Sequence, residues 1–200
     1  MQLTTLGKNI IRPQNLNEIF TFQNELKINY SNSSASTDLE GGNIIEITIK
    51  EPTRCIRNNA ECEYPCSLFN EINPNHKQRV SRVIHIHEIN NLAAFYSSEN
   101  IRKKYLRQGY MKAALCDLII YILESIEDSS EIIEIRLINR AKGFNTNGEL
   151  APIFAYSDIF KLTDPAASEN LYLISTPETR MCDIEYYRNL FSSTQVKLES

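Results

Sequence analysis

Four basic residues, Arg102, Lys103, Lys104 and Arg107, stand just ahead of a lone glycine, Gly109, and a strongly patterned segment follows to Ile126. Glycine takes positive φ readily and lets a second molecule approach its backbone closely. The first amides of a helix have no internal partners and point outward with the positive end of the helix dipole. A basic loop that enters a helix through Gly109 is therefore a candidate phosphate cradle. The same charges would also suit a solvated surface run. A second constellation is Cys55, Cys62, Cys66 and His76, with His85 and His87 in reserve. Thiolates and imidazoles suit zinc, but the spacing C-x6-C-x3-C-x9-H is not that of a finger or ribbon. Unpaired thiols in an irregular region are the plainer reading. None of the five cysteines has a recognisable base beside it in sequence, so no cysteine nucleophile is assigned.

The elements that must position these groups follow from periodicity. Met111, Leu115, Leu118 and Ile122 recur at helical spacing, and Ile119, Leu123 and Ile126 lie on the adjoining row. Asp117 and Glu124 fall on the opposite side, with Ile120 an apolar exception there. Ahead of the basic loop, residues 82–89 predict a strand with Val83, His85, His87 and Ile89 on one face. Arg82, Ile84, Ile86 and Glu88 take the other. The run at 92–96 is expected to be a further strand, or the same one continued past a bulge. Strands are also predicted over 3–12, 43–49, 132–138 and 170–174. Helices are predicted over 15–28, 151–161 (Pro152 in its first turn) and from Thr176 onward. Residues 31–42 read as a flexible polar loop. Residues 51–80, with prolines at 52, 65 and 74, read as an irregular insertion.

Composition restricts the class. The chain has 200 residues, 42% hydrophobic and 23% charged, which suits one soluble domain with a sizeable core. Its net charge of −4 argues against a general nucleic-acid binder. No uninterrupted apolar stretch is long enough for a bilayer, and the N-terminus lacks the apolar core of a secretion signal. Five irregularly spaced cysteines do not suggest a disulfide framework, so a reducing cytoplasm is the expected compartment. Export by a specialised secretion system would leave the same signature.

The order strand, basic loop with glycine, amphipathic helix, strand, helix resembles the GNAT acyltransferase superfamily. The family's loop has the form Q/R-x-x-G-x-G/A, and the matching stretch is Leu106-Arg107-Gln108-Gly109-Tyr110-Met111. The words GYMKAALCDLI are most similar to the branch that includes ribosomal-protein alanine N-acetyltransferases. The match is clearest over about 84–160. Leu106 stands where the family has Gln or Arg, and Met111 replaces the second small residue. The tail reads as one strand and a helix, where the family adds two strands.

The resemblance implies a single-domain α/β (α+β) fold, a mixed sheet flanked by helices, using acetyl-CoA as co-substrate. Arg107, Gln108, Gly109, Tyr110, Met111 and Lys112 would hold the pyrophosphate. Phe95 and Tyr96, in the run at 92–96, would offer backbone groups to the pantetheine arm, and Asn139 would touch it. An acceptor amine must lose a proton before it attacks, and the thiolate leaving group gains from a donor. Glu88 is the candidate base and Tyr156 the candidate acid, with an ordinary strand-end carboxylate and a packed tyrosine as their plainer readings. The partner is then a primary amine on a protein or small molecule, with no nucleic acid, no membrane and no metal. Two other classes stay open. One is a GNAT-like scaffold without catalysis, serving as an interaction module or exported effector. The other is a zinc-stabilised binding protein.

Overall fold

The computed structural model describes residues 5–6, 10–32, 35, 38–50, 56–57, 60–61, 67–72, 75, 79–106, 108–138, 156, 158–160, 162–164 and 167–198. Ten strands are described: β1 (Thr5–Leu6), β2 (Ile10–Ile11), β3 (Glu25–Ser31), β4 (Asn43–Lys50), β5 (Ile56–Arg57), β6 (Ala60–Glu61), β7 (Arg82–Asn91), β8 (Ile133–Ile138), β9 (Leu162–Asp164) and β10 (Ala167–Ser175). The helices are α1 (Leu68–Ile72), α2 (Glu99–Tyr105), α3 (Tyr110–Glu124) and α4 (Arg180–Leu198). Eight strands form one sheet in the order β1-β2-β3-β4-β7-β8-β10-β9, and β5 and β6 form a separate two-stranded ladder among the described residues. β7 and β8 run parallel, and the other paired neighbours are antiparallel. This is a mixed α+β fold of one sheet with helices packed on it. No described helix is long and apolar enough to cross a membrane.

Several expectations are corrected. The helix predicted over 15–28 is a 3-10 helix, Gln14–Phe20, followed by β3. Leu26, Ile28 and Tyr30 alternate with exposed residues, a period-two pattern that buries all three against β4. Asn24, at φ 69°, breaks the chain between them. The run at 92–96 is not a strand: Leu92–Phe95 make a 3-10 turn capped by Asn91. The tail holds two strands before its helix, since β9 pairs antiparallel with β10.

The bulge lies inside β7. Ile49 of β4 faces Ile86, yet Thr48 faces Glu88, so His87 is the extra residue. Because opposed residues share a face, this slip moves Glu88 away from Ile84 and Ile86 to the opposite side of the sheet. The expected shared face of Ile84, Ile86 and Glu88 is thereby overturned.

One face of the sheet carries Leu26, Ile28, Tyr30, Ile45, Ile47, Ile49, Ile84, Ile86, Ile135 and Leu137, all buried in one core with α3. Asp117 does not lie on a solvated side. It is buried beneath Arg12, whose Nε donates to both carboxylate oxygens at 3.0 and 3.1 Å and whose Nη2 donates to Oδ1. Tyr30 donates its hydroxyl to Oδ2 at 3.0 Å. Ile120 is buried too, because α4 packs along α3 and Arg188 pairs with Glu124 at 2.6 Å. The other face of the sheet holds a small cluster of Val80, Val83 and Ile132 with Phe69 and Ile174. There the buried Glu134 accepts from the Ser67 hydroxyl (2.7 Å) and the Phe69 amide (3.0 Å), fixing the start of α1.

Candidate functional site

Gly109 is the N-cap of α3 and takes φ 86°, a conformation that costs other residues about 1–2 kcal/mol. The first helical bond of α3 runs from the Ala113 amide to the Gly109 carbonyl, 2.9 Å. The helix therefore leaves the amides of Tyr110, Met111 and Lys112 unused. Gln108 is exposed, Met111 and Lys112 are half-buried, and Tyr110 is buried. The Tyr110 hydroxyl accepts from Asn32 Nδ2 at 3.4 Å, and burial raises its pKa. Arg107 and Asn139 lie outside the described residues, as do Cys55, Cys62, Cys66 and His76. Among the described residues, no group of three His, Cys, Asp or Glu side chains could hold a metal ion.

The basic run is largely answered from within the chain. Lys103 pairs with Glu99 at 2.8 Å, Lys104 with Asp38 at 2.6 Å, and Arg102 donates to the Tyr96 carbonyl at 3.1 Å. Asp38 also accepts the Tyr105 hydroxyl at 2.8 Å. These pairs are exposed or half-exposed, and solvent screens them, so each contributes little. A doubly charged anion on the α3 amides would compete for such cations without a large penalty. Phe95 is 75% exposed, and the Tyr96 hydroxyl accepts the Glu40 amide at 2.7 Å.

β7 and β8 pair from Arg82–Ile133 to Ile86–Leu137. Beyond Ile86, residues 88–91 of β7 pair with β4 alone among the described residues. The bulge at His87 lies one residue past the last described pair of these two parallel strands, Ile86 with Leu137. Their carboxyl ends lie at the same end of the sheet as the start of α3, since Asn91, the last residue of β7, donates its Nδ2 to the carbonyl of Tyr105, shortly before that helix, at 3.0 Å. In open sheets with parallel strands, ligands bind in the crevice outside such strand ends. Glu88 is exposed and one residue past the bulge, on the sheet face opposite the α3 core.

Tyr156 is brought close to the α3 start through its own turn. The amides of Ile159 and Phe160 return to the Tyr156 carbonyl at 2.9 and 2.8 Å. Asp158 of that turn pairs with Lys112, in the first turn of α3, at 2.8 Å. Tyr156 is buried, which pushes its phenol up to about 12. A stability effect follows. The unfolded phenol ionises near pH 10, so between about pH 10 and 12 the folded chain binds more protons and loses stability as pH rises. The contribution is whole below about pH 10 and amounts to roughly 3 kcal/mol at 1.36 kcal/mol per unit. Urea midpoints measured from pH 9 to 12 should fall less steeply for Tyr156→Phe than for the parent.

Three features escaped sequence reading. Asp38 and Asp158 supply the counter-charges, and neither has a local motif. The Arg12–Asp117–Tyr30 group joins residues separated by 105 and 87 positions, which no window can detect. Cys116 is buried, and desolvation pushes its thiol up to about 12, so it stays protonated and unreactive. Two adjoining clefts of about 200 and 360 Å³ share Phe20 and Arg82, at the far end of the sheet from Gly109. There Arg82 lies 4.8 Å over the Phe20 ring and pairs with Glu131 at 3.3 Å. That pairing is sufficient as structure.

No family model, curated protein or solved structure matches the chain.

Proposed function

We propose that the chain is a GNAT-type N-acetyltransferase, moving an acetyl group from acetyl-CoA to a primary amine by direct attack. The observation that carries the reading is a helix entered through a glycine at φ 86°, its first amides left unused by the helix, at the carboxyl end of two parallel strands. The amides of Tyr110, Met111 and Lys112 would hold the pyrophosphate, with Gln108 alongside. Backbone groups near the carboxyl end of β7 would suit the amides of a pantetheine arm.

Glu88 accepts a proton from the incoming ammonium, directly or through water, the freed amine forms the new C–N bond, and the second proton on that nitrogen passes to solvent as the tetrahedral adduct collapses. The carbon–sulfur bond breaks, and the electron pair leaves with the sulfur. A phenol held near 12 is too weak an acid to protonate a thiolate of ordinary basicity fully. Tyr156 instead donates a hydrogen bond to the departing sulfur, whose proton comes finally from solvent.

A scaffold without catalysis is the second reading, favoured by the internal pairing of Lys103, Lys104 and Lys112. One titration separates the two. Calorimetry with acetyl-CoA should show binding by the parent and at least a hundredfold weakening in Gly109→Arg, with the far-ultraviolet spectrum unchanged. A folded parent that takes up no acetyl-CoA would leave the scaffold reading standing.

A further inference from the structure

α4 follows the last strand and packs along α3. Two neighbouring tyrosines on it reach the turn that carries Tyr156. Tyr187 donates its hydroxyl to the Ile159 carbonyl at 2.6 Å, and Tyr186 donates to the Asp158 carbonyl at 2.6 Å. Their rings meet edge to face at 5.2 Å, so each fixes the other's direction. Lys112 holds the Asp158 side chain from the first turn of α3, at 2.8 Å. Three residues from two helices thus grip two consecutive residues, Asp158 and Ile159.

The gripping bonds differ in strength of placement. Tyr187 is buried and its phenol is kept neutral by desolvation, so its hydroxyl remains a donor across the working pH range. Tyr186 and Lys112 are partly exposed. A short bond from a buried donor to a backbone carbonyl fixes a turn better than an exposed ion pair does.

We infer that α4 is a positioning clamp: Tyr187, supported by Tyr186, holds the 156–160 turn at the distance from the α3 start that Tyr156 needs to reach the leaving sulfur. This rests on the acetyltransferase reading. Neither tyrosine touches the reacting atoms, and both act through Tyr156. Displacements of about 1 Å in a reacting group can cost as much as a hundredfold in rate.

The test uses the full chain with Tyr187→Phe, Tyr186→Phe, Tyr156→Phe and the Tyr156/Tyr187 double variant. Phenylalanine keeps the rings and removes only the hydroxyls. Thiol release from acetyl-CoA is followed with an alanine-terminated peptide, free lysine and spermidine as acceptors. Exchange of the Ile159 and Phe160 amides is measured alongside. For Tyr187→Phe the expected result is faster exchange at both amides and about a tenfold fall in kcat, with KM for acetyl-CoA within twofold. In the Tyr156→Phe background, removing the Tyr187 hydroxyl should lower kcat no further, because the two act as one unit. A merely structural role would lower both backgrounds equally, and that result overturns the clamp. So does unchanged exchange, or an unchanged kcat where Tyr156→Phe is impaired. A parent inactive with all three acceptors, in which Tyr156→Phe has nothing to lower, overturns the acetyltransferase reading and the clamp with it.

Discussion

Arg12→Met is expected to lower the stability of the fold by about 3–5 kcal/mol, the cost of leaving a buried carboxylate without its partner. The Asp117 carboxylate has no solvent exposure, whereas the Arg12 side chain keeps 21%. Burial works against the charge on Arg12, but the hydrogen bonds and charge of Asp117 outweigh it and hold the guanidinium charged. Burial of Asp117, in contrast, outweighs the lowering by Arg12 and Tyr30 and raises the pKa of its carboxyl. Without Arg12, the Tyr30 hydroxyl is the one donor to the Asp117 side chain left among the described residues, and one neutral donor cannot replace a two-point ionic contact. For a chain of this length the loss corresponds to about 10 °C in Tm. The companion measurement is the Arg12→Met/Asp117→Leu double variant. It should recover most of the loss, since replacing both members of a buried pair by apolar groups is often neutral or stabilising. A single variant that unfolds at the parent temperature would show that Asp117 is hydrated and the triad unimportant.

Ile120→Glu has the second large effect, again about 3–5 kcal/mol, read as a fall in the urea midpoint. A glutamate at a solvated helix position would cost almost nothing, so this substitution distinguishes an open α3 face from a covered one. Ile120 is buried and lies one turn before Glu124, where Arg188 of α4 is bound. The new carboxylate would meet apolar surroundings with Glu124 one turn away, and repulsion between like charges at that spacing adds a few tenths of a kcal/mol. Lifting α4 to hydrate the charge would also release Tyr186 and Tyr187 from the 158–159 carbonyls. Faster amide exchange at Ile159 should therefore accompany the lost stability.

The two corrections around α3 share a cause. Its apolar stripe was legible because helical periodicity is local, and Leu115, Leu118 and Ile122 are all fully buried. The opposite side looked solvated because Asp117 and Glu124 are charged. Nothing within a helical window shows that Arg12 lies across one of them and Arg188 across the other. Glu88 failed for a related reason: strand alternation places it with Ile84 and Ile86 until a bulge at His87 shifts the register by one. Bulges are decided by what the neighbouring strand requires.

Taken by itself, the sequence determined the elements with strong local patterns: β4, β7, α3, β8 and the glycine ahead of α3. These follow from β-branched content, helical spacing and the conformational freedom of Gly109, each of which is local to a few residues. Tertiary structure alone decided which strands pair, which face carries Glu88, and that α4 covers α3 and grips the Tyr156 turn. Those features depend on contacts between residues tens of positions apart, and such contacts form only once the chain has closed on itself.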